Sequence, residues 1–315
     1  MGVFRSIHNI VYAISFRAEK FYCETDLGGG VLFKIWERPG EWCSDGELEN
    51  ILKDVQVIAD EAQSGKHIPQ YGVLTGNRED LKNRFITIGY DKKLKKPIAF
   101  SAQIYLDVPV GVSIIEVLHM GLVYVSPGSQ KKSILGLLYI LPNIILLIKR
   151  GFRPIWASNV SQVPAIIGVV ADYYEQVYPD PIHTGKQSIL HRSLGNGIMK
   201  FHRKAFGVGE DAVYDASKQI ISNAYTGGSD NLKKTFEQCP KYRIEKVNFF
   251  CKESLNYERG DDVLQLGILS GSLITNFFQK RIAGISGIYS LLFISITAVF
   301  TLLLPVLRWL TRKTD

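Results

Sequence analysis

A short polar loop between an apolar strand and an apolar helix is the clearest chemical signal in this chain. Glu116 to Arg150 reads EVLHMGLVYVSPGSQKKSILGLLYILPNIILLIKR. Leu118, Leu122, Val123 and Val125 are strand formers with no charge among them, which predicts a buried strand. Ser126-Pro127-Gly128-Ser129 breaks it. From Ser133 apolar residues run on through Leu147, a length that suits a buried helix. Gln130, Lys131, Lys132 and Ser133 therefore stand where a helix begins. The first N–H groups of a helix lack intrahelical partners, and its dipole favours negative charge there. The chemistry open to such a loop is the holding of an anion.

The elements that must position this loop follow from periodicity. Val11 to Trp36 alternates apolar and polar residues, with Gly28-Gly29-Gly30 as a turn between two short strands. No lysine or strong helix follows those glycines, so a plain turn is favoured over a phosphate loop. Leu48, Ile51, Leu52, Val55, Ile58 and Ala59 predict an amphipathic helix over 45–63, capped by Ser44 or Asp45 and ended by Ser64-Gly65-Lys66. Phe85–Tyr90 and Pro97–Tyr105 read as strands joined by a lysine-rich hairpin turn, and Ser113 begins the next strand. Pro142 is expected to kink the helix after the loop. Arg153 to Ser158 reads as a strand parallel to the one before that helix. A second helix is expected from about Ala165 through Tyr173 and Tyr174 to Tyr178. Further on, 211–238 reads as polar and helical with a loop at Thr226-Gly227-Gly228-Ser229, and 244–250 and 263–269 as closing strands.

The segment from Val125 to Leu135 resembles the acyl-CoA-binding motif of the GNAT superfamily of N-acetyltransferases. That motif is a strand ending in Val-x-Pro, two residues, then Gln/Arg-x-x-Gly-x-Gly/Ala opening a helix. Gln130 stands at the leading Gln/Arg, at the family's spacing from Pro127. Ser133 and Leu135 stand where the family usually has small residues, mostly glycine. The order of strands and helices over about 45–180 is similar too. The resemblance implies an α/β (α+β) fold, with a mixed, mostly antiparallel central sheet flanked by helices. It implies that the backbone of Gln130, Lys131, Lys132, Ser133, Ile134 and Leu135 holds the pyrophosphate of acetyl-CoA or another acyl-CoA. The strand at Leu122 to Val125, with Val123 and Val125, would offer N–H to the thioester oxygen. Asn159 would contact the pantetheine arm, and Tyr173 or Tyr174 would protonate the leaving thiolate. Glu116 or His119 would take the proton from the acceptor amine. Each of these side chains also has a plain structural reading, as aromatic core, satisfied histidine or solvated strand residue.

Composition limits the other classes. The chain has 315 residues and a net charge of +7, which favours anionic partners. A nucleic-acid reading rests on charge alone and lacks an aromatic-basic signature. Cys23, Cys43, Cys239 and Cys251 are scattered with no C-x-x-C pair, as for reduced thiols, and no metal site is expected. The basic stretch 181–209 contains no acid, and a helix over 190–205 would cover the active site or lie on an anionic membrane. The start fits the loose N-myristoylation pattern at Gly2.

The run Ile282 to Leu307 has no charged residue, with Lys280 and Arg281 before it and Arg308, Arg312 and Lys313 after. Roughly 26 residues at 1.5 Å each reach about 39 Å, enough to span a bilayer with tilt. The expected organisation is a GNAT-like domain over 1–279, with a basic helical insertion at about 181–240, and a single transmembrane anchor over 280–315. A large cytoplasmic N-terminal domain on a single-pass anchor follows. The functional expectation is a membrane-tethered N-acyltransferase whose acceptor is an amine, protein-borne, small or lipid-linked. The alternative is a non-catalytic membrane-anchored scaffold on the same fold, motivated by the missing glycines at Ser133 and Leu135.

Overall fold

The computed structural model describes residues 20–26, 30–63, 68–69, 71–129 and 134–273. Gly2, Gly28 and Gly29, the loop residues Gln130, Lys131, Lys132 and Ser133, and the run 282–307 lie outside them. Among the described residues no helix is long and apolar enough to cross a membrane.

Ten strands form one mixed, mostly antiparallel sheet among the described residues. The chain runs β1 (Phe21–Asp26), β2 (Val31–Glu37), α1 (Pro39–Trp42), α2 (Asp45–Gln63), α3 (Arg78–Leu81), β3 (Arg84–Asp91), β4 (Lys96–Val110) and β5 (Ser113–Val125). It continues with α4 (Ile134–Lys149), β6 (Ile155–Ser161), α5 (Pro164–Tyr173), β7 (Glu175–Tyr178) and α6 (Ile189–Phe201). Last come β8 (Val213–Asp215), β9 (Ile220–Ser222), α7 (Glu245–Ser254) and β10 (Asp262–Leu269). The sheet order is β1-β2-β3-β4-β5-β6-β10-β9-β8, with β7 pairing β10 as well. Among the described residues only β5 and β6 are parallel, because α4 crosses between them while the others are antiparallel neighbours.

Helices cover both faces. On one face α2 sets Leu48, Ile51, Val55 and Ile58 against Ile86, Ile88 and Phe100. Further along that face α6 sets Leu194 and Ile198 against Leu106, Val108 and Leu264. On the other face α4 packs Leu138, Ile145 and Leu146 against Phe33, Phe85, Ile98 and Leu118. Pro142 lies inside α4, so the Leu138 carbonyl four residues earlier has no intrahelical donor. Ser101 Oγ donates to that carbonyl at 3.0 Å, which ties the helix to β4 at this point.

The register of β4 and β5 shifts between Ala102 and Ile104, which pair with Leu122 and His119. Met120 and Gly121 thus form a bulge opposite Gln103. It lets His119 and Leu122 face the same side of the sheet. A Cβ at Gly121 would lie 2.1 Å from the Ala102 carbonyl oxygen, so only glycine fits the bulge.

Three expectations are corrected. Residues 211–238 form no α-helix. They make the hairpin β8–β9 and a 3-10 turn at Asp230–Leu232, because the Asp215 carboxylate accepts from the Ser217 and Lys218 N–H groups and closes a turn. The expected strand at 244–250 is instead part of the helix Glu245–Ser254, since Val247 and Cys251, one turn apart, bury against Ile167. The helix after β6 stops at Tyr173, and 175–178 is an edge strand on β10.

Gly121→Ala should destabilise the protein by about 1–3 kcal/mol, read as a fall in Tm. Gly46→Ala is the control: nothing lies within 4 Å of a Cβ there, in the first turn of α2. That change should leave Tm equal or higher. Equal behaviour of the two variants would refute the bulge argument.

Candidate functional site

The parallel pair β5 and β6 stays together for only three residue pairs, Val117–His119 with Trp156–Ser158. Beyond them the strands part. Leu122 to Val125 pair with β4 on one side, and among the described residues Met120 to Val125 have no strand partner on the β6 side. Alternate backbone N–H and C=O groups of β5 therefore face the gap, as on an open sheet edge.

A cavity of about 570 Å³ fills the gap, a size that suits a small organic ligand. It passes through the sheet. Tyr139 of α4 and Ile166 of α5 line it on one face; Arg84, Phe206 and Tyr225 line it on the other. The strands contribute His119, Met120, Gly121, Leu122, Val123, Val125 and Asn159. Asn159 is 3 % exposed, and its side-chain Nδ2 has no hydrogen-bond partner among the described residues. A buried amide donor without a partner is costly unless a ligand meets it.

The expected site residues divide accordingly. His119, Val123, Val125 and Asn159 come together around the cavity. His119 stacks on Phe206 with ring centroids 4.6 Å apart, and its Nδ1 lies 3.0 Å from Ser158 Oγ. Burial, aided by the Arg84 and His202 charges, holds its pKa down to about 3. The imidazole is thus neutral near pH 7 and a weak proton acceptor.

Glu116 sits before the parting and does not line the cavity. Its carboxylate is paired with Arg38, at 3.3 Å, and with Arg150. Both guanidiniums lie over the Tyr105 ring. Tyr174 is half-buried outside the cavity wall, its hydroxyl donating to Met120 Sδ at 2.7 Å and accepting from Asn143 Nδ2 at 3.2 Å. Tyr173 packs beside the α4 core instead. At the start of α4, Ile134 is buried, whereas Leu135 is 45 % exposed and turned away from the core. Among the described residues no group of His, Cys, Asp and Glu is arranged to hold a metal ion, and all four cysteines are buried free thiols.

The cavity also gathers residues that the sequence did not single out. Arg84 opens β3, Tyr71 precedes a 3-10 turn, and Asp262 opens β10. Asp262 is buried and accepts from the Tyr225 hydroxyl at 2.9 Å. Burial, with a smaller contribution from the neighbouring Asp261 charge, pushes its pKa up to about 7. Asp261 itself is paired with Arg259 and accepts from the Asn256 and Asn223 N–H groups, which hold its pKa low. Two adjacent carboxyls are thereby driven apart, and the one on the cavity is poised near neutrality. The sequence signal was present as the Asp-Asp pair before a strand.

No family model and no curated protein matches this chain.

Asp262 keeps its proton to about pH 7 in the folded chain, whereas an unfolded aspartate releases it near pH 4. Between those values the folded state binds more protons, so stability falls as pH rises through this window. Asp262→Asn removes the effect while keeping an acceptor for Tyr225. Its Tm advantage over the wild type should be larger at pH 8 than at pH 4.5, by up to a few kcal/mol of unfolding free energy. A difference constant with pH would show that the folded carboxyl is ionised throughout.

Proposed function

We propose that this protein is an N-acyltransferase of GNAT-like build, moving an acyl group from acyl-CoA, with acetyl-CoA the simplest donor, to an amine. The observation that carries the reading is the parting of β5 from β6, with unpartnered strand backbone and the orphan Asn159 donor on one through-sheet cavity. A pantetheine arm is an extended chain of amides. It can pair with an open strand edge as an added strand does, and Asn159 Nδ2 can donate to one of its carbonyls.

The donor's diphosphate would lie at the start of α4, because a helix N-terminus favours negative charge. Leu135 points outward there, so its bulk does not fill the helix mouth. An N–H of β5 near Val123 or Val125 is the donor to the thioester oxygen.

Asp262 takes the part that the sequence offered to Glu116 or His119. Glu116 is committed to two arginines, and His119 is too weak a base. A carboxylate with a pKa near 7 can accept the ammonium proton as the amine attacks the thioester carbon. The C–S bond then breaks and the thiolate takes a proton. Tyr139, on the cavity wall, stays protonated because burial raises its pKa, and so can supply one. The uncharged run 282–307 would hold this domain at a membrane, near its acceptor.

The test is calorimetric titration of acetyl-CoA, then a longer acyl-CoA, into the full chain in mild detergent. Binding of at least one is expected. Asn159→Ala should weaken it about 5–10-fold through the lost hydrogen bond, and Asp262→Asn should leave it unchanged. A folded protein that binds neither would leave a membrane-anchored scaffold as the better account.

A further inference from the structure

The acyltransferase reading leaves the amine unspecified, and one buried cation in the cavity is unexplained by it. Arg84 is 3 % exposed and lines the cavity. Its Nε donates to the Asp80 carbonyl at 2.7 Å, and its two terminal nitrogens make no hydrogen bond among the described residues. It forms no ion pair there either. The Asp80 carboxylate acts on it only from beyond ion-pair distance and is itself engaged by Thr75 Oγ1 at 2.5 Å. Burying a guanidinium without a counter-charge costs several kcal/mol. Proteins keep such a group where a ligand completes it.

The surroundings leave the fork open. A Cβ at Gly72 would lie 3.1 Å from one terminal nitrogen, and one at Gly121 would lie 3.8 Å from the other. Two glycines thus line the slot, and Gly72, at φ +63°, disfavours any side chain there. Arg84 also lies on the wrong face for the donor's phosphates. It shares the face of Ile86, His119 and α2, whereas α4, whose N-terminus suits a diphosphate, packs on the opposite face. Asp262 is on the Arg84 side of the sheet, in step with Leu264. The phenol of Tyr71 lies between them electrostatically, since the Asp262 and Arg84 charges both act on it.

We propose that the acceptor is a small amine that also carries an anionic oxygen group, a carboxylate or a phosphate, with the anion on the Arg84 fork and the amine towards Asp262. The assignment rests on the acyltransferase reading for its reaction but not for its binding. Arg matches carboxylate and phosphate alike through two parallel N–H bonds. An amino acid supplies the first chemistry and a phosphoethanolamine head the second. A plain alkylamine supplies neither and would leave Arg84 bare.

The experiment uses matched pairs on the full chain in mild detergent. L-leucine is compared with isoamylamine, and O-phosphoethanolamine with ethanolamine. Each is read twice: by acetylated product at saturating acetyl-CoA, using mass spectrometry, and by calorimetric binding without any CoA. The anionic member of at least one pair should react and bind at least 10-fold better, and the pair that responds identifies carboxylate or phosphate. Arg84→Gln should reduce that preference to within about 2-fold, and Arg84→Lys should restore part of it. The wild-type comparison stands alone if either variant fails to fold. Equal behaviour within both pairs, including no binding of any member, overturns the proposal, while acetyl-CoA binding by the same sample leaves the acyltransferase reading intact. Binding of an anionic amine without acetyl-CoA binding has the opposite meaning: the Arg84 assignment holds and the reaction does not.

Discussion

Everything at the site depends on one constraint, that β5 cannot follow β6 beyond His119. Two parallel strands joined by a crossover helix ordinarily pair along their shared length, because an unpaired backbone group in the interior is costly. Here β6 has seven residues and β5 thirteen, yet pairing stops after three. The bulge at Met120–Gly121 turns β5 towards β4, where its bonds continue to Val125. The groups left over on the β6 side face a cavity instead of dry core. Ser101 anchors α4 on β4 at the turn freed by Pro142, so the helix does not slide over the opening. Without the bulge the sheet would be closed, and its two faces would have no connection.

The ionisable groups around this opening receive very different treatment. Glu116 is compensated twice over, by Arg38 and Arg150, and the pair stacks on Tyr105. Asp261 is compensated by Arg259 and two backbone donors. Arg84 and Asp262 are buried, more deeply than Glu116, and among the described residues lack a counter-charge at contact distance. Structural ion pairs and functional charges both perturb pKa values, so the perturbation alone does not separate them. Compensation does. A paired charge has its answer within the fold, whereas Arg84 and Asp262 face the open volume of the cavity.

Periodicity made much of the fold legible. Helix α2, the β3–β4 hairpin and the strand–loop–helix that opens on β5 follow from apolar spacing and local turn chemistry. Residues 211–238 did not, because a polar segment carries no face to read and the Asp215 turn outweighs helix propensity. Residues 244–250 failed for another reason: a short run fits a strand or a helix until its partner, here Ile167, is known. At the site, His119, Val123, Val125 and Asn159 were within reach because they lie on the two strands that part. Glu116 lies on the same strand but on the opposite side of the sheet from His119, and three residues settle that. Arg84 and Asp262 were hidden by distance in sequence. They reach the cavity only because β3 lies two strands from β5 and β10 runs antiparallel to β6.

Different segments of the chain build the two faces of this cavity. The face lined by Tyr139 and Ile166 is built by the strand–helix units on either side of the gap. The other face is walled by the basic insertion. Helix α6 turns its apolar side onto β4 and β10, and the 3-10 turn at Arg203–Phe206 delivers Phe206 onto His119. Its next residues are just as closely fitted. A Cβ at Gly207 would lie 2.9 Å from the Tyr71 ring, and Ser229 Oγ donates to the Gly207 carbonyl at 2.6 Å. The insertion is therefore packed against the same stretch that carries Tyr71 and Arg84. Changes in it would move the Tyr71 and Arg84 side of the cavity while leaving the β5 edge and the start of α4 as they are. The two faces of the cavity are thus built by separate parts of the chain that meet across the gap in the sheet.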